Sequence, residues 1–378
     1  MRILVLNWQD ITNPLSGGAE VHLHNIFSRI ARLGHEVTLF CSSYAGAPAE
    51  EVRDGMRIIR QGGRAVFNLH VPLVYLRRFR AEQYDVVIDD VNKIPFLTPL
   101  YVRQPLFGII HHLFGRSIFL EANPAVASYV SCMEKLGVWL YRRSAMPFFV
   151  VSPSTGQELQ ERGFPPERLH LVHNCVDHSV HRPAADRRSS TPLIGVFGRL
   201  KKYKCVDQIL RAMPRVRERM PGVRLVVVGD GDDRPRLEKM ARELGVQDAV
   251  GFTGFVAENV KVDFLQQMWF GVTMSSKEGW GLTVLEANAC GTPMIAADVP
   301  GLRDAVKKDV TGILTPFGDT PALADTMVAL LQDSGRRDRL SRGALAWAHE
   351  FNWDTAAQKT LEALQSHLKS ARTTSSAV

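Results

Sequence analysis

Residues 193–210 read LIGVFGRLKKYKCVDQIL, and the order of residue types in this stretch decides the architecture. The apolar run Leu193–Phe197 is short and rich in branched residues, as a strand buried on both faces requires. Gly198 ends it, a basic loop follows from Arg199 to Lys204, and apolar residues return at helical spacing from Val206. Strand, glycine loop and helix make the opening of a parallel βαβ unit. The same alternation continues beyond it. Strands are expected at Val223–Val228, Val250–Thr253, Gly271–Met274 and Pro293–Ala297. Helices are expected at Val206–Met220, Asp233–Leu244, Val260–Met268 and Leu282–Cys290, with several more after Thr320.

Before this stretch lies a polar, proline-flanked segment without periodicity, residues 182–191, which reads as a linker. The amino-terminal part alternates in its turn. Strand-like runs are Ile3–Leu6, Glu36–Cys41, Asp85–Ile88, Pro105–Ile110, Pro147–Val151 and Leu169–Val172. Helical patterns cover Ala19–Leu33, Phe67–Glu82, Ala125–Arg143 and Thr155–Arg162. The fold class is therefore α/β: two Rossmann-like, doubly wound domains, 1–181 and 192–350, facing across a cleft. A last helix is expected near Thr355–Lys369, and the tail 371–378 is expected to fray. Open parallel sheets bind ligands beyond the carboxyl ends of their strands, so chemistry is sought in the loops there.

Composition narrows the class. The chain has 378 residues with 46 Lys plus Arg against 39 Asp plus Glu, a net charge of +7. Spread over a surface of this size, that excess calls for no nucleic-acid partner. Cys41, Cys132, Cys175, Cys205 and Cys290 are scattered without a CxxC pair, which points to a reducing compartment. No run approaches the roughly 18 apolar residues of a membrane span, and the expectation is a cytoplasmic protein.

Three loops carry candidate chemistry. In Ser16-Gly17-Gly18-Ala19-Glu20, two glycines at a helix start let a backbone approach an anion, although a turn capped by Ser16 explains them equally well. In Gly198–Lys204, Arg199 and Lys204 can converge on phosphate, against the alternative of a solvated basic loop. The third, SSKEGWGLTVLEA from Ser275 to Ala287, places Glu278 in a glycine loop and Glu286 eight positions on in a helix. A carboxylate on an apolar helix face needs hydrogen bonds, and vicinal sugar hydroxyls supply two. The N–H groups at Gly281 and Leu282 suit phosphate.

These residues resemble the large retaining glycosyltransferase family 4, which has the GT-B fold and includes glycogen-synthase-like and mannosyltransferase-like members. GRLKKYK, VVVGDGDDRPRLE, SSKEGWGLTVLEANACGTPMIAADVPGLRDAV and TGILTPFGD carry the likeness, with Glu278 and Glu286 at the family's Glu, seven residues, Glu spacing. The resemblance implies that the amino-terminal domain binds acceptor, the carboxyl-terminal one binds nucleotide sugar, and segment 351–370 crosses back to the first domain. It implies that Arg199 and Lys204 hold the diphosphate, that Glu278 holds donor-sugar hydroxyls and that Glu286 holds the ribose. Gly17 and Gly18, with Gly198, Gly279, Trp280, Gly281 and Leu282, would line the donor. His111, after the Pro105–Ile110 strand, matches the family histidine beside the transferred sugar, with His112 the adjacent alternative. No obligatory metal or cofactor is implied. The acceptor would be a glycan, a lipid-linked sugar or a small molecule, as in cell-surface polysaccharide synthesis.

Departures from the family pattern are Cys205 and Cys175 where glycine is usual, and Asp304 where glutamate is more common. A nucleotide-sugar epimerase of the same fold, or a non-catalytic sugar or nucleic-acid binder, is the alternative class. The grouping of His170, His173, Cys175, His178 and His181 fits no compact zinc site. Asp89 and Asp90 read as capping or acceptor groups. Apolar residues of Arg64–Arg80, ending in Arg77, Arg78 and Arg80, read equally as a core helix or as one lying on an anionic membrane surface, peripheral on the inner membrane face.

Overall fold

The structure is a computed structural model that describes residues 1–92, 94–120 and 122–375. The chain divides into two compact units: Met1–Asn174 with Trp353–Val378, and Cys175–Asn352. Unit 1 contains β1 (Arg2–Leu6), α1 (Gly18–Arg32), β2 (Glu36–Cys41), β3 (Glu50–Arg53), β4 (Met56–Arg60), α2 (Phe67–Arg77), β5 (Val86–Asp90) and β6 (Leu106–Ile110). It continues with α3 (Pro124–Arg143), β7 (Phe148–Val150), α4 (Pro153–Glu161) and β8 (Leu169–Leu171). Unit 2 opens with β9 (Leu193–Phe197), α5 (Val206–Arg219), β10 (Arg224–Val228), α6 (Arg234–Glu243), β11 (Val250–Gly254), α7 (Glu258–Gln267) and β12 (Phe270–Thr273). There follow α8 (Leu282–Ala289), β13 (Met294–Ala297), α9 (Leu302–Ala305), β14 (Gly312–Thr315), α10 (Thr320–Gln332) and α11 (Ser334–Ala348). Helix α12 (Trp353–Ser375) then belongs to unit 1.

Both sheets have Rossmann-like order. Unit 2 runs β11-β10-β9-β12-β13-β14, all parallel. Unit 1 runs β3-β4-β2-β1-β5-β6-β7-β8, parallel except for β3. The winding direction reverses between β1 and β5 and again between β9 and β12, so each unit has a switch point where loops splay apart and admit a ligand. Buried Ile, Val and Phe side chains line the strands, as a sheet covered on both faces demands.

Several expectations need correction. The supposed linker 182–191 packs on unit 2: the Arg188 guanidinium donates to Thr292 Oγ1 (2.9 Å) and to the Gly291 carbonyl (2.8 Å). The Trp269 indole donates to the Ser189 carbonyl (2.8 Å), and the break between units falls at Asn174/Cys175 instead. A polar composition does not reveal that its partners are backbone carbonyls. The helix expected over Phe67–Glu82 ends at Arg77, because Phe79 turns into the core against Phe40, with ring centroids 5.1 Å apart. Strands β3 and β4 were absent from the sequence reading, although Asp54-Gly55 marks their hairpin: both residues are left-handed, at φ 49° and 84°. Strand β14 was also missed as a strand. The tail expected to fray from 371 is helical to Ser375, and 376–378 lie outside the described residues. Helix α12 packs on α1 through an Arg29–Asp354 ion pair at 2.7 Å.

Candidate active site

At the unit 2 switch point the chain leaves β9 through Gly198, whose φ of 124° only glycine adopts without strain. The loop that follows is stitched to the one after β12, since the Ser276 N–H donates to the Tyr203 carbonyl (2.8 Å). A small pocket lies here, lined by Gly198, Arg199, Lys204 and Thr273 among others. Lys204 Nζ donates to Glu278 Oε1 at 2.6 Å. Burial opposes the charge on Lys204, yet Glu278 and Tyr203 beside it hold the ammonium pKa above its usual value. Because the lysine uses Oε1, Oε2 of Glu278 is left to accept from a hydroxyl. The glycine loop holding Glu278 is braced from behind by Gly301, where any Cβ would collide with the Glu278 carbonyl oxygen.

Gly281 is the N-cap of α8, so Gly279 and Trp280 form the approach and Leu282 the first turn. The Val284 and Leu285 N–H groups donate to the Gly281 carbonyl (2.9 and 3.2 Å), so it is the N–H groups before them, at Leu282 and Thr283, that lie at the helix start where an anion could use them. Trp280 differs from expectation. Its indole is buried, with its ring centroid 5.2 Å from that of Phe351.

Glu286 is buried on α8, and its Oε1 lies 3.1 Å from Lys261 Nζ on α7. Lys261 is held in turn by Glu258 at 2.8 Å, and Glu258 by His181 at 3.0 Å. Burial works against both charges. The pair nonetheless raises Lys261, and His181 with Lys261 lowers Glu258 to about 2. Among the described residues, His181, Glu258 and Glu286 have metal-ligand spacing, but the Lys261 ammonium already supplies the cation for both carboxylates. Sequence reasoning missed Lys261 because nothing in the spacing of α7 points to α8.

In unit 1, Gly17 caps α1 and donates its N–H to Glu20 Oε2 (2.7 Å), while Glu20 Oε1 accepts from the Asn92 amide (2.8 Å). Gly18 is the first helical residue. His111 follows β6, with Nε2 at 3.2 Å from Asp90 Oδ1, and its ring meets the edge of His22 at 5.2 Å. Burial and the nearby His111 push His22 down to about 3, so it stays neutral and hydrogen-bonds Asn174 Oδ1 through Nδ1 at 2.5 Å. His112 turns the other way, against Phe114, into an apolar pocket with Val138 and Phe164. His111 is thus the histidine that lies beside Asp90 and His22.

Asp89 proves to be structural: Oδ2 accepts from Thr98 and Tyr141, each at 2.6 Å. The His/Cys grouping disperses, with His170 against Phe107, His173 on the Val151 carbonyl and His178 stacked on His349. Arg78, one of the arginines that end the α2 segment, is paired with Glu50 (2.9 Å) and Glu82 (3.1 Å).

Two Rossmann-like units, each with a polar loop at its switch point, define the GT-B class of fold. Residues 178–347 match the family described as "Glycosyl transferases group 1" and residues 16–180 match "Glycosyltransferase Family 4". A D-inositol 3-phosphate glycosyltransferase of Xylanimonas cellulosilytica is 40% identical over 92% of this chain and 91% of its own. Sucrose-phosphate synthase of Thermosynechococcus elongatus has the same fold, with a TM-score of 0.81 at 21% identity over 98% of this chain and 100% of that one. HepE of Anabaena, in complex with UDP-glucose, gives a TM-score of 0.77 at 22% identity over 97% and 100% of the two chains. The chain belongs to the group 1, family 4 glycosyltransferases, and it is a glycosyltransferase.

Proposed function

We propose that the chain transfers a hexose with retention from a UDP- or GDP-sugar to a glycan, lipid-linked or small-molecule acceptor. The observation that carries this reading is the Lys204–Glu278 pair at the β9/β12 switch point, with Glu286 held close by on α8. It offers one cation for a diphosphate and two carboxylates with free oxygens for sugar hydroxyls. Arg199, Lys204 and the start of α8 meet the negative charge that grows on the leaving diphosphate. Glu278 orients the transferred sugar and Glu286 the ribose. In unit 1, His111 with Asp90 serves the transferred sugar, and the Gly17-Gly18 turn serves the phosphate end. No metal is assigned to the reaction.

None of the roles assigned here is that of a general base on the face opposite the leaving group, which an inverting reaction needs. In the retaining course the acceptor oxygen attacks C1 on the face from which the phosphate departs. The C1–O bond to phosphate breaks, and the acceptor's proton passes to the departing phosphate oxygen. The complex of HepE with UDP-glucose supports a sugar of this class as donor. Expected outcome: an α-linked sugar nucleotide yields an α-linked product, with activity unchanged by EDTA. Proton NMR of the first product reads the anomeric coupling, and a β product from an α donor sinks the reading.

A further inference from the structure

We infer that the outer face of unit 1 built by α2 and α3 docks on an anionic lipid bilayer. The two helices bury one stripe each, Phe67, Val71 and Tyr75 on α2 and Ala127, Val130 and Tyr141 on α3. A helix on a soluble surface turns polar residues outward. Here the outward stripe of α2 is Leu69, Leu73 and Leu76, exposed by 62%, 51% and 46%. Helix α3 continues it with exposed Tyr129, Leu136 and Trp139. The Asn68 amide donates to the Tyr129 hydroxyl (3.0 Å), which ties the start of α2 to the first turns of α3.

Charge selects the occupant. Exposed Arg77 and Arg80 end the α2 segment, Lys135 stands on α3, and none of the three has an ion-pair partner among the described residues. The Arg143 guanidinium lies 4.6 Å from the Trp139 ring centroid, an arrangement suited to a headgroup layer. Glu134, the carboxylate that α3 carries, is buried and accepts the Phe114 and Gly115 N–H groups, while α2 carries none. The face is thus apolar and cationic at once. A second copy of the chain would set cations against cations. A leaflet with phosphate-bearing anionic lipids satisfies both features, since leucines and Trp139 enter the acyl boundary while arginines stay at phosphate depth. Among the described residues no helix is long and apolar enough to cross a membrane, so contact would be from one side.

The test is co-sedimentation of the full chain with vesicles, without nucleotide sugar, so that its failure leaves the transfer reaction untouched. Binding is expected to phosphatidylcholine vesicles containing phosphatidylglycerol and not to phosphatidylcholine alone, weakening as salt shortens the screening length from about 10 Å at 0.1 M. Arg77→Glu with Arg80→Glu is expected to lower the partition coefficient by about tenfold or more, each cation being worth roughly fivefold near such a surface. Leu73→Gln with Trp139→Gln is expected to weaken binding at every salt concentration. Lys239→Glu with Arg242→Glu, an equal charge change on α6, is expected to matter little, and thermal melts confirm that all variants fold. Wild-type protein that stays in the supernatant with anionic vesicles at low salt overturns the proposal. So does a concentration-dependent dimer that Leu73→Gln abolishes while vesicles are ignored.

Discussion

The two switch points are built differently. In unit 2 the candidate side chains pair carboxylate with ammonium, as with Lys204 against Glu278 and Glu286 against Lys261. In unit 1 the paired groups include no ammonium or guanidinium: Glu20 with Asn92, Asp90 with His111, His22 with Asn174. A site that must neutralise a diphosphate needs net cations and free carboxylate oxygens near solvent. One that must hold a neutral sugar and admit an acceptor needs fixed polar geometry with little net charge. On the proposed function, the contrast matches a donor side that carries charge and an acceptor side that does not.

Changes that strike the charge of unit 2 should therefore cost the most. Lys204→Ala removes a preorganised contact to developing negative charge, and turnover should fall on the order of a hundredfold. Near-normal kcat in this variant would remove the loop from the mechanism. Next comes Lys261→Met, which leaves Glu286 buried without its cation. Donor KM should rise about tenfold, equivalent to about 1.4 kcal/mol, with kcat little changed. A fall in kcat at constant KM would mean that Lys261 acts on the reacting bond rather than through Glu286.

The smallest effect on turnover is expected from Asp89→Asn in unit 1, which should instead change how stability responds to pH. Burial first, and Asp90 beside it, push the Asp89 carboxyl from 3.8 up to about 6 despite the Thr98 and Tyr141 hydrogen bonds. Because the folded pKa is the higher one, the unfolded chain loses this proton first as pH rises. The contribution is fully present below about pH 3.8, declines between there and about 6, and is flat above. Across about two pKa units the loss is on the order of 3 kcal/mol. Urea titrations at the two ends of that window should show the wild type losing stability relative to Asp89→Asn as pH rises; parallel pH curves would refute the assignment.

How much of this was legible follows the same contrast. The βαβ order, the 198–204 loop and the Glu278/Glu286 spacing are local patterns, and local patterns survive in a one-dimensional string. Lys261 could not be found that way, since its role depends on α7 lying against α8. Nor could the use of Asp90, which looks like any strand-end carboxylate until His111 is beside it. The hairpin β3–β4 was readable from Asp54-Gly55, but its strand Glu50–Arg53 is mostly charged and hides the usual alternation. Segment 182–191 misled for the reverse reason: Arg188 reads as a solvent-facing cation, whereas its fork is spent on carbonyl oxygens.

Helix α12 gives the molecule an asymmetry in time. Unit 2 is complete at Asn352, but unit 1 begins at Met1 and is closed by a helix that comes after all of unit 2 in the chain. Domains fold as units while synthesis proceeds. Of the two units, the one whose synthesis starts earlier is consequently finished later, and until then the α1 face bearing His22 and Arg29 waits for Trp353 and Asp354 to cover it.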